Sequence, residues 1–264
     1  MIMRNQELIS ALCAVFLAGV LPAQAQPDPR VADLVTAGKI RMGVFPSFQY
    51  AKTPAGEPQG LAWGITRALA LRLGIGEVIT VEYPTPPQVV ECLKTGGCDI
   101  GFMLIDPARG TEVDFTPAFV RSDFTYLVPE GSPISAVKDV DRPGVRVAAV
   151  RGHASTAALL RMVKQATPVY AETFQGAVEL VRNKEADAFA SIREMLLQYG
   201  PQLPNSQVLP DSYQSNFAGI AVPKGNMRRL SYISDMLDGM KRDGSLQRII
   251  HDTELRGIEV VAPQ

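Results

Sequence analysis

The sequence predicts an α/β fold with two lobes, and three patterns indicate it. Segments with helical spacing alternate with short apolar runs over residues 29–104, and the same alternation begins again at residue 145. Two further extended segments, 119–128 and 216–222, flank the second series. We interpret these two segments as crossings between the lobes. The chain would then leave the first lobe, build the second and return to the first. The predicted boundaries are 26–121 plus 216–264 for the first lobe and 122–215 for the second.

The first lobe is predicted to contain a βαβαβ series that follows a short helix. Its helices are expected at 29–37, around 65–73 and at 87–95, and its strands at 40–45, 78–83 and 99–104. Pro86 and Pro87 mark the start of the third helix, and Gly96 and Gly97 mark its end. Strands that alternate with helices in this way form a parallel sheet covered by helices.

The second lobe is predicted to repeat this pattern. Its strands are expected at 145–150, 168–171 and 186–190, and its helices at 154–165 and 174–184. After the return crossing, the region beyond Met227 is predicted to be helical and to complete the first lobe. Its apolar residues share one helical face: Leu230, Ile233, Met236, Leu237 and Met240.

The composition is typical of a folded globular protein. The chain has 264 residues, of which 46% are hydrophobic, and it carries 26 basic and 27 acidic side chains. This balance excludes a disordered segment and a basic protein that binds nucleic acid. The sequence has no zinc motif, phosphate-binding loop or Ser-His-Asp order, so we expect neither a metal nor another cofactor.

Residues 1–25 are predicted to be a secretory signal peptide. Arg4 precedes an apolar run at 9–21, and Ala23-Gln24-Ala25 has the small-x-small pattern of a cleavage site. Export would place the mature protein in the periplasm. The alternative is a buried N-terminal helix.

Two cysteines, Cys92 and Cys98, follow the predicted signal. An oxidising compartment favours a disulfide between them, which would tie the end of a helix to the next strand. A redox or metal role is the alternative, but the spacing is not CxxC and neither His153 nor His251 is near in sequence.

Five stretches in the same order resemble one family over nearly the whole mature chain. They are GKIRMGV at 38–44 followed by Pro46-Ser47-Phe48, LKTGGCD at 93–99, DPARGTEVDFTP at 106–117, GVRVAAVRG at 144–152 and DGSLQRI at 243–249. The chain resembles periplasmic solute-binding proteins of the polar amino-acid class, the binding subunits of ABC importers. The resemblance implies a type II binding-protein fold, in which two lobes close on a ligand held in the cleft between them.

The resemblance assigns Arg109 the central binding role. It matches the family arginine whose planar guanidinium grips the ligand's α-carboxylate. The alternative is a surface ion pair with Glu112 or Asp114. Independently of the family, ligands of open α/β sheets lie at the carboxyl ends of strands, which places the loops after Val44, Leu104, Val150 and Ala190 at the cleft.

A second anion-binding element is predicted in the other lobe. Residues 151–156 match a family loop that opens a helix, so the backbone N–H groups there are expected to donate to the same carboxylate. The candidate residues are Gly152, His153, Ala154 and Ser155. Capping of the helix by Ser155 or Thr156 is the alternative.

Phe48 matches an aromatic residue that packs on the ligand's side chain, and Trp63 and Leu104 are further candidates for the cleft lining. For Phe48 and Trp63, packing in the core is an equally good interpretation.

The sequence departs from the family at the positions that hold a ligand's ammonium group. The expected aspartate, five residues after Asp187, is replaced by Ile192, and the stretch at 60–64 lacks two further acids. A buried ammonium group without a carboxylate partner is costly, so a carboxylate ligand without a charged amine is predicted. The alternative is that Glu194, two residues after Ile192, holds the ammonium group of an amino acid ligand.

These features predict a monomeric receptor that delivers a carboxylate-bearing ligand to a membrane permease. The alternative is an enzyme that resembles cyclohexadienyl dehydratase, which requires an acid of raised pKa in the cleft; Glu194 is its main candidate. A sensory input module is a third hypothesis, but no membrane span follows in the sequence.

Overall fold

The computed structural model describes residues 28–263, so the predicted signal peptide lies outside the described residues. Eight helices are described in this range: α1 (Ala32–Ala37), α2 (Leu61–Leu73), α3 (Pro86–Lys94), α4 (Ala154–Met162), α5 (Phe174–Arg182), α6 (Arg193–Tyr199), α7 (Met227–Arg242) and α8 (Ser245–Asp252). The first seven strands are β1 (Lys39–Val44), β2 (Ala51–Lys52), β3 (Pro58–Gln59), β4 (Glu77–Glu82), β5 (Ile100–Leu104), β6 (Val113–Phe115) and β7 (Val120–Val128). The others are β8 (Arg146–Val150), β9 (Thr167–Ala171), β10 (Ala188–Ile192), β11 (Gln207–Val208), β12 (Gln214–Pro223) and β13 (Ile258–Val260).

The main sheet joins two parallel groups of strands through two long antiparallel strands. Its order is β4-β1-β5-β12-β7-β10-β8-β9. The pairs β1–β4 and β1–β5 are parallel, as are β8–β9 and β8–β10, so the predicted parallel arrangement is confirmed on both sides. The strands β12 and β7 lie between the groups and pair antiparallel with each other.

The buried apolar residues form separate cores on the two sides of the molecule. In the first lobe, α2 and α7 pack on the sheet through residues such as Leu61 and Ile233, while α3 covers the other face. In the second lobe, α4 and α5 cover opposite faces of β8 and β10. The fold is therefore the predicted two-lobed α/β fold, whereas the residue boundaries of the lobes stay a prediction.

Two predicted element ends differ from the observed ones for identifiable reasons. The helix α4 ends at Met162, because the backbone N–H groups of residues 164–166 all donate to one carboxylate oxygen of Asp141, at 2.7 to 3.0 Å. The strand β10 extends to Ile192 rather than 190, because Ser191 and Ile192 still pair with β7. The helix α6 follows directly and was not predicted.

Cys92 and Cys98 form the predicted disulfide, which links α3 to the residues that enter β5. Within residues 28–263, no helix has the length and apolar character that a membrane span requires. The same residues contain no group of three or more His, Cys, Asp or Glu side chains arranged to hold a metal ion.

Candidate functional site

Arg109 lies in a tight turn after β5, at the carboxyl end of that strand. Its Nη1 donates to the backbone carbonyl of Leu104 at 3.0 Å. The carboxylate of Asp106 accepts from the backbone N–H groups of Ala108 and Arg109 at 2.9 and 3.2 Å, which fixes the turn. The arginine is thus half-buried and held at one end, with Leu104 positioning it through the backbone.

The alternative partners predicted for Arg109 are both engaged by lysines. Lys94 binds Glu112 at 2.8 Å, and Lys224 binds Asp114 at 2.7 Å. The hydrogen bond from Lys224 also lowers the pKa of Asp114, so this carboxylate is charged at neutral pH. Among residues 28–263, Arg109 forms no ion pair, so the alternative of a surface pair with Glu112 or Asp114 is wrong.

The start of α4 leaves its first backbone N–H groups without a side-chain cap. His153 occupies the N-cap position, and Gly152 before it has a left-handed backbone with φ of 73°. Gly152, His153 and Ala154 are exposed. An uncapped helix start presents free N–H donors and a partial positive charge, which together favour an anion.

Neither Ser155 nor Thr156 caps this helix, so that predicted alternative is wrong. The Thr156 hydroxyl donates to the carbonyl of Val150 at 2.6 Å, back into the strand. Ser155 is buried, and its carbonyl accepts from the Tyr213 hydroxyl at 3.1 Å. Both residues therefore anchor α4 to the second lobe.

The His153 ring packs edge-on against Phe174, with 4.6 Å between the ring centroids. Partial desolvation lowers the pKa of the imidazole, so His153 is neutral at pH 7. The adjacent Arg151 binds Glu172 at 2.8 Å and stacks on Tyr170. The Arg151 charge beside this helix start is thus paired with Glu172.

Phe48 lines a half-open cavity of about 400 Å³ to which both lobes contribute residues. The first lobe contributes residues of the loop after β1 and Gly60, and α6 contributes Met195 and Gln198. Phe48 also packs on the first core, and its predicted contact with a ligand stays a prediction.

Trp63 does not line this cavity. The indole is half-buried, packs against the first core and lies under the Arg67 guanidinium at 5.9 Å. These contacts favour the core interpretation for Trp63.

Ala62 and Gly64 stand where the two missing acids of residues 60–64 are expected, and both are small residues in closely packed positions. Ala62 is fully buried. A Cβ atom at Gly64 would lie 2.6 Å from Cγ2 of Ile249, so the glycine lets α2 and α8 approach closely. A carboxylate at either position has no room in this arrangement.

Ile192 and Glu194 stand at the junction between β10 and α6. Ile192 is half-buried and packs on the second core. Glu194 is only 4% exposed, and each of its carboxylate oxygens exposes less than 1 Å² and has no hydrogen-bond partner among residues 28–263. Burial raises the pKa of Glu194 to about 7 against the lowering effects of the nearby Ser122 and Arg193. The carboxylate is therefore inaccessible to a ligand here.

The candidate residues form three groups. Leu104 and Arg109 are joined by a hydrogen bond, residues 152–155 form the start of α4, of which 152–154 are exposed, and Phe48 faces α6 across the cavity. No hydrogen bond or ion pair in the described part of the chain connects Arg109 with residues 152–155. Sequence reasoning did not find Met195 and Gln198 as lining residues, because α6 was not predicted.

Two α/β lobes joined by two crossing strands are the architecture that this chain shares with solved solute-binding proteins. The chain belongs to the bacterial extracellular solute-binding proteins, family 3, whose family model matches residues 40–252. The predicted family is confirmed.

The chain is similar to several characterised binding proteins. It is 26% identical over 202 residues to the ABC transporter glutamine-binding protein of Bacillus subtilis, covering 75% of this chain and 74% of that protein. An ancestral cationic amino acid solute-binding protein matches with a TM-score of 0.73 and 25% identity, over 84% of this chain and 98% of that one.

A binding component of an ABC transporter from Wolinella succinogenes, complexed with lysine, matches with a TM-score of 0.69 and 24% identity. This match covers 82% of this chain and 95% of that one, and it shows the shared fold. These relatives are binding proteins, and this chain is a binding protein rather than an enzyme.

Proposed function

We propose that the protein is the extracytoplasmic receptor of an ABC importer and binds a small carboxylate-bearing ligand between its lobes. The observation that carries this proposal is the bonding of Arg109. Its guanidinium is held by a backbone carbonyl, while Glu112 and Asp114 are paired with lysines. An arginine without an acidic partner offers a planar fork of donors to a ligand carboxylate.

The second lobe supplies the other half of the proposed anion site. The start of α4 at residues 152–155, exposed at 152–154, offers backbone donors that no side chain of residues 28–263 caps. Closure of residues 122–215 over 26–121 and 216–264 would bring these donors to the carboxylate held by Arg109. We assign Phe48 to the body of the ligand, because it lines the half-open cavity to which both lobes contribute residues.

The proposed ligand lacks a charged α-amine. Ile192 offers no acceptor to an ammonium group, and the buried oxygens of Glu194 are out of reach. The relatives named for glutamine and lysine favour an amino acid, but such a ligand would need a different acceptor for its ammonium group. We propose that the protein works as a periplasmic monomer and that its partner is a membrane permease.

A thermal-shift screen with paired ligands tests this proposal. Each pair contains an amino acid and the same acid without the α-amine, such as phenylalanine and 3-phenylpropionate, or lysine and 6-aminohexanoate. A ligand at a hundredfold excess over its Kd stabilises the protein by about 2.7 kcal/mol, which is measurable. We expect the amine-free acids to raise the melting temperature. A shift with the amino acids alone would contradict the assignment of Ile192.

A further inference from the structure

The two lobes are connected through polar segments of β7 and β12. We call residues 121–123 and 214–217 the crossing segments; they separate residues that belong to the first core from residues that belong to the second. Ser122 pairs with Asn216, and Asp123 pairs with Ser215. Any movement of one lobe relative to the other must change the geometry here, because the chain crosses between the lobes at this point.

The helix α6 belongs to the second lobe but packs against parts of the first. A Cβ atom at Gly257 would lie 2.9 Å from Cγ of Arg193 and 3.0 Å from Cδ1 of Leu197, so α6 touches the segment that follows α8. A cavity of about 820 Å³ adjoins this contact and is lined by Glu194 and Leu197 on one side and by residues 251–256 on the other. Glu194 thus stands where both lobes and a crossing segment meet.

Polar groups around Glu194 are buried without partners. Ser122, Asp123 and Glu194 are each more than nine-tenths buried. The Asn216 amide nitrogen, the Ser122 hydroxyl and both Glu194 oxygens form no hydrogen bond in the described range, and one oxygen of Asp123 lies 3.5 Å from Nε of Arg121. The nearby Ser122 hydroxyl lowers the pKa of Glu194, but burial raises it by more. A buried carboxylate without a donor is strongly disfavoured, whereas the neutral acid is tolerated and can itself donate.

The charges next to the junction are bonded elsewhere. Arg193 donates to the carbonyls of Leu209 and Pro210 at 2.8 and 3.0 Å. On β7, Arg121 lies 2.9 Å from Glu259 of β13, and Asp123 adds a second negative charge that raises the pKa of Glu194. The positive charge of Arg193 lowers the pKa of Glu194, but the effect of burial outweighs it.

The other elements packed on α6 supply no partner either. The strands β10 and β11 and the turn at 200–202 contain no titratable side chain. On α5, Glu179 accepts from Gln175 and Arg182 donates to the carbonyl of Gln202. The end of α8 and the segment after it bring exposed charged or titratable side chains to the cavity: His251, Asp252, Glu254 and Arg256.

We propose that Glu194 is a protonation-dependent contact between the lobes. As the neutral acid it keeps α6 packed against the crossing segments, and as the carboxylate it favours an arrangement in which α6 moves away and water reaches Glu194. The pKa of about 7 in the packed arrangement places this change near neutral pH. The inference does not depend on which ligand the protein binds.

Small-angle X-ray scattering of the ligand-free protein between pH 5 and 9 tests this proposal. We expect the radius of gyration to increase with pH through a single midpoint, since one proton changes the equilibrium between the two arrangements by at most about tenfold per pH unit. Glu194→Gln should keep the low-pH value throughout. Glu254→Gln, which changes an exposed acid on the same cavity, should follow the wild-type curve.

A pH-independent radius in the wild-type protein, or an unchanged transition in Glu194→Gln, would overturn the proposal. If Glu194→Gln does not fold, carboxyl ¹³C NMR of the wild-type protein decides, with the Glu194 signal assigned by its loss in Glu194→Asp. A Glu194 midpoint shared with the scattering transition supports the proposal. A midpoint near the ordinary glutamate value of about 4.3 contradicts it.

Discussion

Arg109 is the side chain on which the proposed binding depends. Its substitution by glutamine removes the charge and the planar fork but leaves the turn held by Asp106, so the fold should be unaffected. We expect the affinity for the carboxylate ligand to fall by about a hundredfold, which corresponds to the loss of about 3 kcal/mol of charge-assisted hydrogen bonding. Isothermal titration calorimetry measures this loss. Arg228→Gln, an exposed arginine on α7, is the control and should bind like the wild type.

Glu194 should make the stability of the protein depend on pH. Its pKa is about 7 in the folded chain and near its ordinary value of 4.5 in the unfolded chain, so the folded state binds more protons between these values. The free energy of unfolding therefore falls as pH rises from 4.5 to 7, by up to about 3 kcal/mol from this group alone.

Urea denaturation at pH 5 and pH 8 measures this effect. Glu194→Gln should lose less stability than the wild type between the two pH values, and Glu254→Gln should match the wild type. Parallel losses in the wild type and Glu194→Gln would show that the buried carboxyl is not the titrating group.

At the scale of elements, the contact between α2 and α8 depends on Gly64. A methyl group there would lie 2.6 Å from Cγ2 of Ile249, so Gly64→Ala should destabilise the protein by about 1–3 kcal/mol despite the better helix propensity of alanine. Gly239→Ala is the matched control: it lies within α7, an added Cβ there meets nothing within 4 Å, and we expect stabilisation of up to about 1 kcal/mol. Thermal denaturation compares the two.

Ile249→Ala in the Gly64→Ala background supplies the internal check. Removing the opposing side chain should recover part of the cost if steric overlap is its cause. Equal melting temperatures for Gly64→Ala and Gly239→Ala would mean that the two helices separate without loss.

The elements that the sequence predicts well are those with a buried apolar run or a clear helical face. The strands β1, β5 and β8 follow from such runs, as does α7 from its apolar face. The strands β6, β11 and β13 have two or three residues each, too few to show any period, and their pairing depends on β7 and β12. In α6, consecutive apolar residues at 195–197 hide the helical spacing.

Only part of the candidate site could be predicted, because some of its contacts join residues that are far apart in the sequence. The position of Arg109 after a strand end follows from the local sequence. The local sequence does not show that Glu112 pairs with Lys94 or that Asp114 pairs with Lys224, because these pairs join residues 18 and 110 positions apart. The burial of Glu194 likewise requires β7 and the segment after α8, which only the folded chain brings to it.

At the scale of the whole molecule, two separate cores joined by polar crossing segments allow the lobes to move as units. If the ligand is held by Arg109 on one side and by residues 152–155 on the other, its binding stabilises the closed arrangement. We expect the acid with the largest thermal shift in the paired screen to decrease the radius of gyration at pH 6, with saturation at one ligand per chain.

Closure of this kind requires both halves of the anion site. At concentrations of the acid that saturate the wild type, Arg109→Gln should keep the radius of gyration of the ligand-free protein. Arg228→Gln should show the same decrease in the radius of gyration as the wild type. A wild-type protein that binds the acid without any change in radius would place the ligand on one lobe only, because a ligand that contacts both lobes necessarily favours the arrangement in which those contacts coexist.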